Sequence, residues 1–366
     1  MRIMSRSTPL REVHESLGAT LTDFAGWLMP LRYGSESAEH NAVRTAAGLF
    51  DLSHMGEIFV TGPQAGEALD HALVGHLSAL APGRARYTMI CAPDGGVLDD
   101  LIVYRLAAEE FLVVANASNY ARVAAELAER AAGFQADVED RSDRYALVAI
   151  QGPRAEEILG TLTDADLPSL KYYAGLPGTV AGIDALIART GYTGEDGFEL
   201  FVAAGDAVAL WQELAKAGDA HGLRPAGLSA RDTLRLEAGM PLYGNELNAG
   251  LTPFDAGLGR VVKFDKPGDF VGRAALAPLK DVPPRRRLVG LVARGRRVPR
   301  HGYPVVLPAD GAVVGEVTSG APSQSLGKPI AMAYVDTEVS EGVAVDIRGS
   351  HEPVDLVDLP FYRRNT

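Results

Sequence analysis

Residues 189–200 of the chain read R-T-G-Y-T-G-E-D-G-F-E-L, and this stretch says most about the fold. Three glycines, three acids and two aromatic residues lie within its twelve positions. A tight hairpin turn needs only about two special residues, so the extra glycines indicate positive φ or a close approach of the backbone to another group. A tyrosine and a carboxylate beside such a loop can bind a flat, nitrogen-rich ligand. The alternative is a long, irregular β-loop without a ligand.

A second stretch, residues 95–104, reads G-G-V-L-D-D-L-I-V-Y. Its glycines follow a Pro-Asp pair, which favours a turn, and we expect a strand over 101–106 with an antiparallel partner over 111–115. Asp99 and Asp100 then stand where the turn enters the strand, with side chains on opposite sides. The one that points inward needs a partner and is a candidate for acid–base or electrostatic work. The alternative is a solvated turn acid.

Length and composition limit the class of protein. A chain of 366 residues exceeds the usual size of one core, so two or three domains are expected. The formal net charge of −12 argues against a general nucleic-acid binder. Cys91 is the single cysteine, so no intramolecular disulfide or thiolate metal cluster can form. The N-terminal residues lack a signal-peptide pattern, and no apolar run approaches the roughly 20 residues of a membrane span. We therefore expect a soluble, cytoplasmic protein.

The pattern along the chain changes near residues 277–287, whose prolines and charges are typical of an exposed linker. Before this segment, helices are predicted over 37–47, 119–132, 154–162, 207–216 and 230–237, and a strand over 145–150. Ser229 and Asp232 predict a capping box at the last helix. After the segment, short apolar runs predict a small antiparallel barrel or sandwich. These runs lie at 288–293, 303–307, 312–318, 330–335 and 343–347.

The two stretches resemble signature segments of the aminomethyltransferases, the T-proteins of the glycine cleavage system. Other segments are similar in the same order: T-P-L (8–10), F-A-G-W-L-M-P-L-R-Y (24–33), D-L-S-H-M-G (51–56), R-Y-T-M (86–89), A-R-D-T-L-R-L-E-A-G-M-P-L-Y-G-N-E-L (230–247), G-E-V-T-S-G (315–320) and P-F-Y-R (360–363). Many dispersed segments in one order are more specific than any single motif.

This resemblance implies an α+β fold. A folate-binding region of two subdomains, within a domain of residues 1–280, would precede a small C-terminal β-barrel over 285–366, with three lobes around a central channel. It also implies an enzyme that transfers the methylene carbon of the aminomethyl-lipoyl group on H-protein to tetrahydrofolate. Ammonia leaves, and the products are 5,10-methylenetetrahydrofolate and dihydrolipoyl-H-protein. Tetrahydrofolate is then a co-substrate, and no metal is required.

The resemblance further implies which residues form the site. Asp100 matches the catalytic acid, because the family places that acid directly before L-I-V-Y, and Asp99 is expected to be structural. Arg231 matches an active-site arginine, with Arg235 one helical turn later. Glu199 matches the carboxylate that binds the donor edge of the pterin, a role suited to a charged acceptor.

The remaining folate-binding residues implied by the resemblance are tyrosines, pocket-lining side chains and a basic residue at the pocket mouth. They are Met55, Tyr87, Tyr104, Asn116, Tyr172, Tyr192 and Arg363. The match at Tyr172 is loose because Tyr173 adjoins it, and Arg364 competes in the same way with Arg363. Each of these tyrosines, and Met55, has core packing as its alternative role.

Other functions stay open at this point. Sarcosine and dimethylglycine dehydrogenases carry a similar region beside a flavin domain, but this chain has no G-x-G-x-x-G fingerprint that opens a βαβ unit. A folate-dependent demethylase is a second alternative. The third is a non-catalytic folate-binding accessory protein of iron–sulfur cluster maintenance. Those proteins typically carry a K-G-C-Y-x-G-Q-E segment, where this chain has R-T-G-Y-T-G-E-D-G without a cysteine.

Overall fold

The computed structural model describes residues 5–364 of the chain. Residues 1–4, part of the segment searched for a signal peptide, and residues 365–366, the end of the predicted barrel domain, lie outside that range. The chain divides into two compact units. The first comprises Met1–Thr88 and Leu101–Arg231, and the second comprises Met89–Asp100 and Asp232–Thr366. The domain bounds expected from the sequence stay a prediction.

Helices and strands alternate through the first three quarters of the chain. Up to residue 151 they are β1 (Arg6–Ser7), α1 (Arg11–Ser16), β2 (Thr20–Phe24), β3 (Trp27–Arg32), α2 (Glu36–Thr45), β4 (Gly48–Asp51), β5 (Gly56–Thr61), α3 (Ala65–Ala72), β6 (Ala85–Cys91), β7 (Val97–Ala107), β8 (Glu110–Ala115), α4 (Tyr120–Ala131), β9 (Asp137–Asp140) and β10 (Tyr145–Gln151). Then follow α5 (Ala155–Gly160), β11 (Gly175–Val180), β12 (Ile183–Ala188), β13 (Gly197–Ala203), α6 (Ala207–Gly218), β14 (Arg224–Pro225), α7 (Leu228–Glu237) and α8 (Arg273–Leu276).

The strands up to β14 form three sheets. The orders are β1-β3-β2, β6-β7-β8-β5-β9 and β11-β12-β13-β10-β4-β14. One face of the six-stranded sheet packs against helices α5 and α6, with Leu200 and Trp211 in the shared core. Side chains alternate along a strand, so Glu199 and Phe201 belong to the opposite face. There the ring of Phe201 meets that of Tyr104 edge-on, at 5.7 Å between centroids. Glu199 therefore lies between two sheets.

The five helices predicted in this region are confirmed as α2, α4, α5, α6 and α7. Helix α7, however, begins at Leu228, so Ser229 lies in its first turn and the predicted capping box is wrong. Gly227 precedes the helix instead, and its carbonyl accepts the Arg231 N–H at 3.0 Å. Its own N–H donates to Oε2 of Glu39 at 2.9 Å. A buried carboxylate from α2 thus holds the start of α7.

The strand expected at 101–106 is longer than predicted, because β7 begins at Val97. Asp99 and Asp100 therefore lie inside a strand rather than at the entry to one. The alternation expected for them holds: Asp99 is fully buried and Asp100 is half-buried.

The C-terminal part of the chain forms a closed six-stranded barrel. Its strands are β15 (Arg286–Ala293), β16 (Pro304–Val306), β17 (Val313–Ser323), β18 (Lys328–Asp336), β19 (Ala344–Ile347) and β20 (Ser350–Val357), in the order β15-β18-β17-β16-β19-β20. The predicted α+β region followed by a small barrel is confirmed, and the arrangement of the lobes stays a prediction. Strand β20, which reads S-H-E-P-V-D-L-V, was missed because it lacks an apolar run.

A buried ion pair joins three segments of the second unit. Arg235 and Glu246 are almost wholly inaccessible, and Nη1 of Arg235 donates to Oε2 of Glu246 at 2.8 Å. Nη2 of Arg235 also donates to Oγ of Ser319 at 2.7 Å, and that hydroxyl donates to Oε1 of Glu246 at 2.6 Å. Arg235 is therefore structural. Among residues 5–364, no helix is both long and apolar enough to cross a membrane.

Candidate active site

The loop at residues 189–197 connects β12 to β13 and wraps around the side chain of Gln151. The Gln151 amide donates from Nε2 to the carbonyl of Thr190 at 3.0 Å and accepts at Oε1 from the hydroxyl of Thr193 at 2.9 Å. A Cβ atom on Gly191 would lie 2.0 Å from Oε1 of Gln151, and one on Gly197 would lie 2.6 Å from Nε2. Close approach to a side chain therefore requires these glycines.

Charged side chains hold the same loop from other directions. Arg44 of α2 donates from Nη1 to the carbonyl of Thr193 at 2.7 Å and to Oε1 of Glu195 at 2.9 Å. Arg189 donates from Nε to Oδ1 of Asp196 at 3.1 Å. Two of the three acids in the 189–200 stretch are thus paired with arginines. Glu199 is the acid that remains for a ligand.

Glu199 is a buried carboxylate whose hydrogen bonds all reach one oxygen. Its exposed fraction is 8%. Oγ1 of Thr190 donates to Oε2 at 2.5 Å, and the Tyr104 hydroxyl lies 2.8 Å from the Thr190 hydroxyl and 3.5 Å from Oε2. Within residues 5–364, Oε1 of Glu199 receives no hydrogen bond. That oxygen is available to a ligand donor.

Burial and neighbouring groups act in opposite directions on this carboxyl. Burial raises the pKa of Glu199, while the Thr190 hydroxyl, the Arg231 charge and the Tyr104 hydroxyl lower it in part. Burial and the charge of Glu199 raise the pKa of Tyr104 well above its ordinary value, so Tyr104 stays a phenol. The phenol can then donate to Thr190 while Thr190 donates to Glu199.

Arg231 and Tyr192 belong to the same cluster. The Arg231 guanidinium stands over the Tyr192 ring, with Cζ 4.7 Å from the centroid, which is within the range of a cation–π contact. Arg231 is also close enough to Glu199 for its charge to lower the pKa of that carboxyl. The structure thus brings together Tyr104, Tyr192, Glu199 and Arg231, which come from three separate segments of the chain.

His54 is a member of this cluster that the sequence analysis missed. Its exposed fraction is 2%, and Nδ1 has no hydrogen-bond partner within residues 5–364. Burial and the Arg231 charge lower the pKa of His54 to about 4, although the Asp51 charge acts in the opposite direction. The imidazole is therefore neutral near pH 7. His54 lies in the D-L-S-H-M-G segment that resembles the family, directly before Met55, which is the residue of that segment predicted to line the site.

Three of the other predicted residues are partly accessible in the first unit. Met55, Tyr87 and Asn116 are half-buried. Tyr172 has an exposed fraction of 45%, whereas its neighbour Tyr173 is half-buried and close enough to Tyr104 to raise the pKa of that residue. Tyr173 is therefore the tyrosine of the pair that acts on Tyr104, and the role of Tyr172 stays a prediction.

Further predicted residues lie in the second unit. Asp100 is half-buried, Arg363 is exposed and Arg364 is half-buried. Asp99 is the more deeply buried carboxylate of the pair, and the structural role expected for it stays a prediction. The roles of Asp100 and Arg363 stay predictions.

Two family models match this chain. The GCVT N-terminal domain matches residues 10–266, and the glycine cleavage T-protein C-terminal barrel domain matches residues 286–363. A mixed α/β region followed by this six-stranded barrel, each matched by its own model, places the chain in the class of glycine cleavage T-proteins.

Individual relatives agree with these models. The aminomethyltransferase of Streptomyces coelicolor is 69% identical over 366 residues, which cover 98% of each chain. That of Bacillus subtilis is 46% identical, over 99% of this chain and 100% of the relative. The crystal structure of glycine cleavage system aminomethyltransferase T from Bartonella henselae has a TM-score of 0.91 and 38% identity, and the match covers 98% of both chains.

The chain therefore belongs to the family of glycine cleavage system aminomethyltransferases, which are tetrahydrofolate-dependent transferases. The predicted family, reaction class and co-substrate are confirmed. The relatives favour this activity over the demethylase and accessory-protein alternatives.

Proposed function

We propose that Glu199 binds the donor edge of the pterin of tetrahydrofolate and that the one-carbon unit arrives on a lipoylated H-protein. The observation that carries the folate site is the carboxylate itself. Glu199 is buried, with an exposed fraction of 8%, yet within residues 5–364 only its Oε2 accepts hydrogen bonds. A buried charge needs donors, and the adjacent N–H groups of a pterin can supply two.

The neighbouring aromatic residues suit the rest of a pterin. Tyr192, with Arg231 over its ring, supplies a flat surface of the kind on which a planar heterocycle packs. The Tyr104 hydroxyl, held by Thr190, borders the carboxylate. We assign Met55 and Asn116 to the pocket lining on the strength of their partial exposure and their motifs.

Tyr87, Tyr172 and Arg363 complete the proposed folate contacts. Arg363 is exposed and can pair with the carboxylates of the glutamate tail. Support for these three residues comes from their motifs rather than from contacts.

The reaction exchanges bonds without an oxidant. A folate nitrogen bonds to the methylene carbon, the bond from that carbon to the amino nitrogen breaks, and the amine leaves as ammonia with a proton from the folate nitrogen. Bonding of the second folate nitrogen to the same carbon releases the lipoyl sulfur, which takes the second proton. Positive charge develops on the carbon and nitrogens, and we assign its stabilisation to the carboxylate of Asp100. Arg231 orients the folate.

The partner and the domain boundary are part of the same proposal. The relative from Bartonella henselae is named as a glycine cleavage system protein, and the barrel model is named for the glycine cleavage T-protein, which supports a lipoylated H-protein as the donor. The family models, which end at 266 and resume at 286, support domains of residues 1–280 and 285–366.

Two variants test the site. Glu199→Gln should weaken tetrahydrofolate binding about 10- to 100-fold, because a hydrogen bond to a charged group is lost. Asp100→Asn should lower the rate of ammonia release from aminomethylated H-protein roughly 100-fold, with a smaller change in folate affinity. Calorimetry and a coupled ammonia assay measure the two effects.

Glu57→Gln is the matched control. Glu57 is 1% exposed, and its pKa is raised mainly by burial and to a smaller extent by the charge of Asp140. It is therefore another buried carboxyl of the same unit, and its replacement should leave folate affinity unchanged. If Glu199→Gln binds folate as tightly as the wild type, the proposed contact between Glu199 and the pterin is wrong. If Asp100→Asn turns over at the wild-type rate, Asp100 takes no part in the chemistry.

A further inference from the structure

Gln151, which no motif singled out, fills the inside of the glycine-rich loop. We propose that Gln151 is a positioning residue: it sets the backbone of residues 189–197 so that Tyr192 and Glu199 face one ligand. This inference rests on the folate site proposed above and adds the residue that builds it.

The slot for this side chain follows from strand register. Gln151 is the last residue of β10, where it pairs with Gly197 of β13 on one side and with Gly48 of β4 on the other. Both neighbours lack side chains, so the amide can extend under the loop, and its exposed fraction is 1%. A side chain at Gly191 would occupy the position of Oε1. Loop and glutamine are therefore complementary in shape.

The hydrogen bonds of the amide reach the functional residues in two steps. Nε2 of Gln151 holds the Thr190 carbonyl at 3.0 Å, and the Thr190 hydroxyl holds Glu199 at 2.5 Å. Oε1 of Gln151 accepts a hydrogen bond from the Thr193 hydroxyl. The two partners of the amide, Thr190 and Thr193, therefore flank Tyr192 in the sequence. A shift of this amide would move both the donor to Glu199 and the backbone of Tyr192.

The loop needs such a support because its own sequence favours many conformations. Each glycine loses more backbone entropy on ordering than another residue would, and three glycines lie in this segment. Arg44 holds the Thr193 carbonyl and the Glu195 carboxylate. Gln151 holds the Thr190 carbonyl, next to the hydroxyl that donates to Glu199.

Gln151→Ala tests the assignment by two independent readouts. Hydrogen exchange of the amides of residues 190–197, measured without folate, should become about 10-fold faster. Tetrahydrofolate affinity, measured well below the melting temperature, should fall about 10-fold. Leu210→Ala is the matched control, because Leu210 is fully buried in the core beneath the same sheet and its apolar side chain can form no hydrogen bond with the loop. It should lower the melting temperature without changing either readout.

A double-mutant cycle tests the shape of the slot. Gly191→Ala alone should weaken folate binding, because its methyl group displaces the Gln151 amide. In the Gln151→Ala background the same methyl group enters vacated space, and the further loss should be less than about 2-fold. If Gln151→Ala does not fold, Thr193→Val removes one of the two hydrogen bonds and should give a smaller change in the same direction.

The outcomes separate this inference from the folate proposal. Unchanged exchange over residues 190–197 in Gln151→Ala, or fully multiplicative effects in the cycle, would overturn the role of Gln151. Faster exchange in Gln151→Ala, together with wild-type folate affinity in Glu199→Gln, would support the positioning role of Gln151 and overturn the contact between Glu199 and folate.

Discussion

The hydroxyl of Thr190 donates to Oε2 of Glu199 at 2.5 Å, so residues near the two ends of the glycine-rich stretch are joined directly. This bond counteracts the burial that raises the pKa of Glu199. It therefore determines how much of the carboxyl is ionised and also which oxygen is left for a ligand.

Thr190→Val should make folate binding weaker and more sensitive to acid. Valine keeps the shape of threonine but removes the donor, so the pKa of Glu199 should rise further. Folate affinity falls as pH decreases through that pKa, since the protonated acid is no longer a charged acceptor, and the fall should begin at a higher pH in the variant. Calorimetry from pH 5 to 9 should also show about a 10-fold loss near neutrality.

Thr45→Val serves as the control for this comparison. The Thr45 hydroxyl bonds the carbonyl of Asn41 within α2 and is exposed. The interpretation fails if the pH midpoint of binding is the same in Thr190→Val as in the wild type.

Arg231→Met should raise the pKa values of His54 and Glu199 together. The guanidinium charge lowers both at present, although burial contributes more at each site. Titration of the His54 ring protons by NMR spectroscopy measures the first change. Arg231→Lys keeps the charge and should move the His54 midpoint much less. An unchanged midpoint in Arg231→Met would show that the two side chains are not coupled.

His54 should make the folded protein less stable in acid. Its pKa is about 4 when folded, against an ordinary value of 6.5. Between these values the unfolded chain binds a proton that the folded chain does not, so stability decreases as pH falls from 6.5 to 4. The effect of His54 should reach about 3 kcal/mol. Urea unfolding at pH 7 and pH 4.5 should therefore show a smaller pH-dependent loss in His54→Gln.

His351→Gln is the matched control for that experiment, because His351 is exposed. Its unfolding free energy should follow the wild type at both pH values. An equal loss in His54→Gln and in the wild type would contradict the neutral buried imidazole.

Arg235→Met should strongly destabilise the second unit. The substitution leaves Glu246 with no exposed surface and without its cationic partner, which costs about 3–5 kcal/mol. Arg286→Met removes one side of the Arg286–Asp336 pair, whose side chains are 40% and 33% exposed. That change should cost less than about 1 kcal/mol. Denaturant titration measures the unfolding free energy of both variants. Comparable losses would contradict the larger contribution expected from the buried Arg235–Glu246 pair.

Local patterns predicted five helices, three strands of the α+β region and five strands of the barrel, because the apolar spacing that indicates them lies within each segment. Helix α4 follows the apolar spacing of Val123 and Leu127, and both side chains are buried as that spacing predicts. The start of β7 was harder to predict, because Asp99 and Asp100 are of a residue type that strands disfavour. Strand β20 is stabilised by its pairing with β15 and β19, which no local pattern contains.

The candidate site shows the same division. The glycines of the 189–200 stretch indicated a close approach, but they could not reveal Gln151 as the group approached. His54 and Thr190 both belong to the segments that resemble the family. Their roles became evident only from the effect of the Arg231 charge on His54 and from the hydrogen bond between Thr190 and Glu199.

By itself, the sequence determined the family, the reaction class and an α+β region followed by a small β-barrel, because these depend on residue types and spacings along the chain. The tertiary structure alone decided which oxygen of Glu199 stays open, that Arg235 is structural, and that Gln151 supports the loop. Those properties depend on burial and on distances between residues far apart in sequence, and a linear pattern does not contain either quantity.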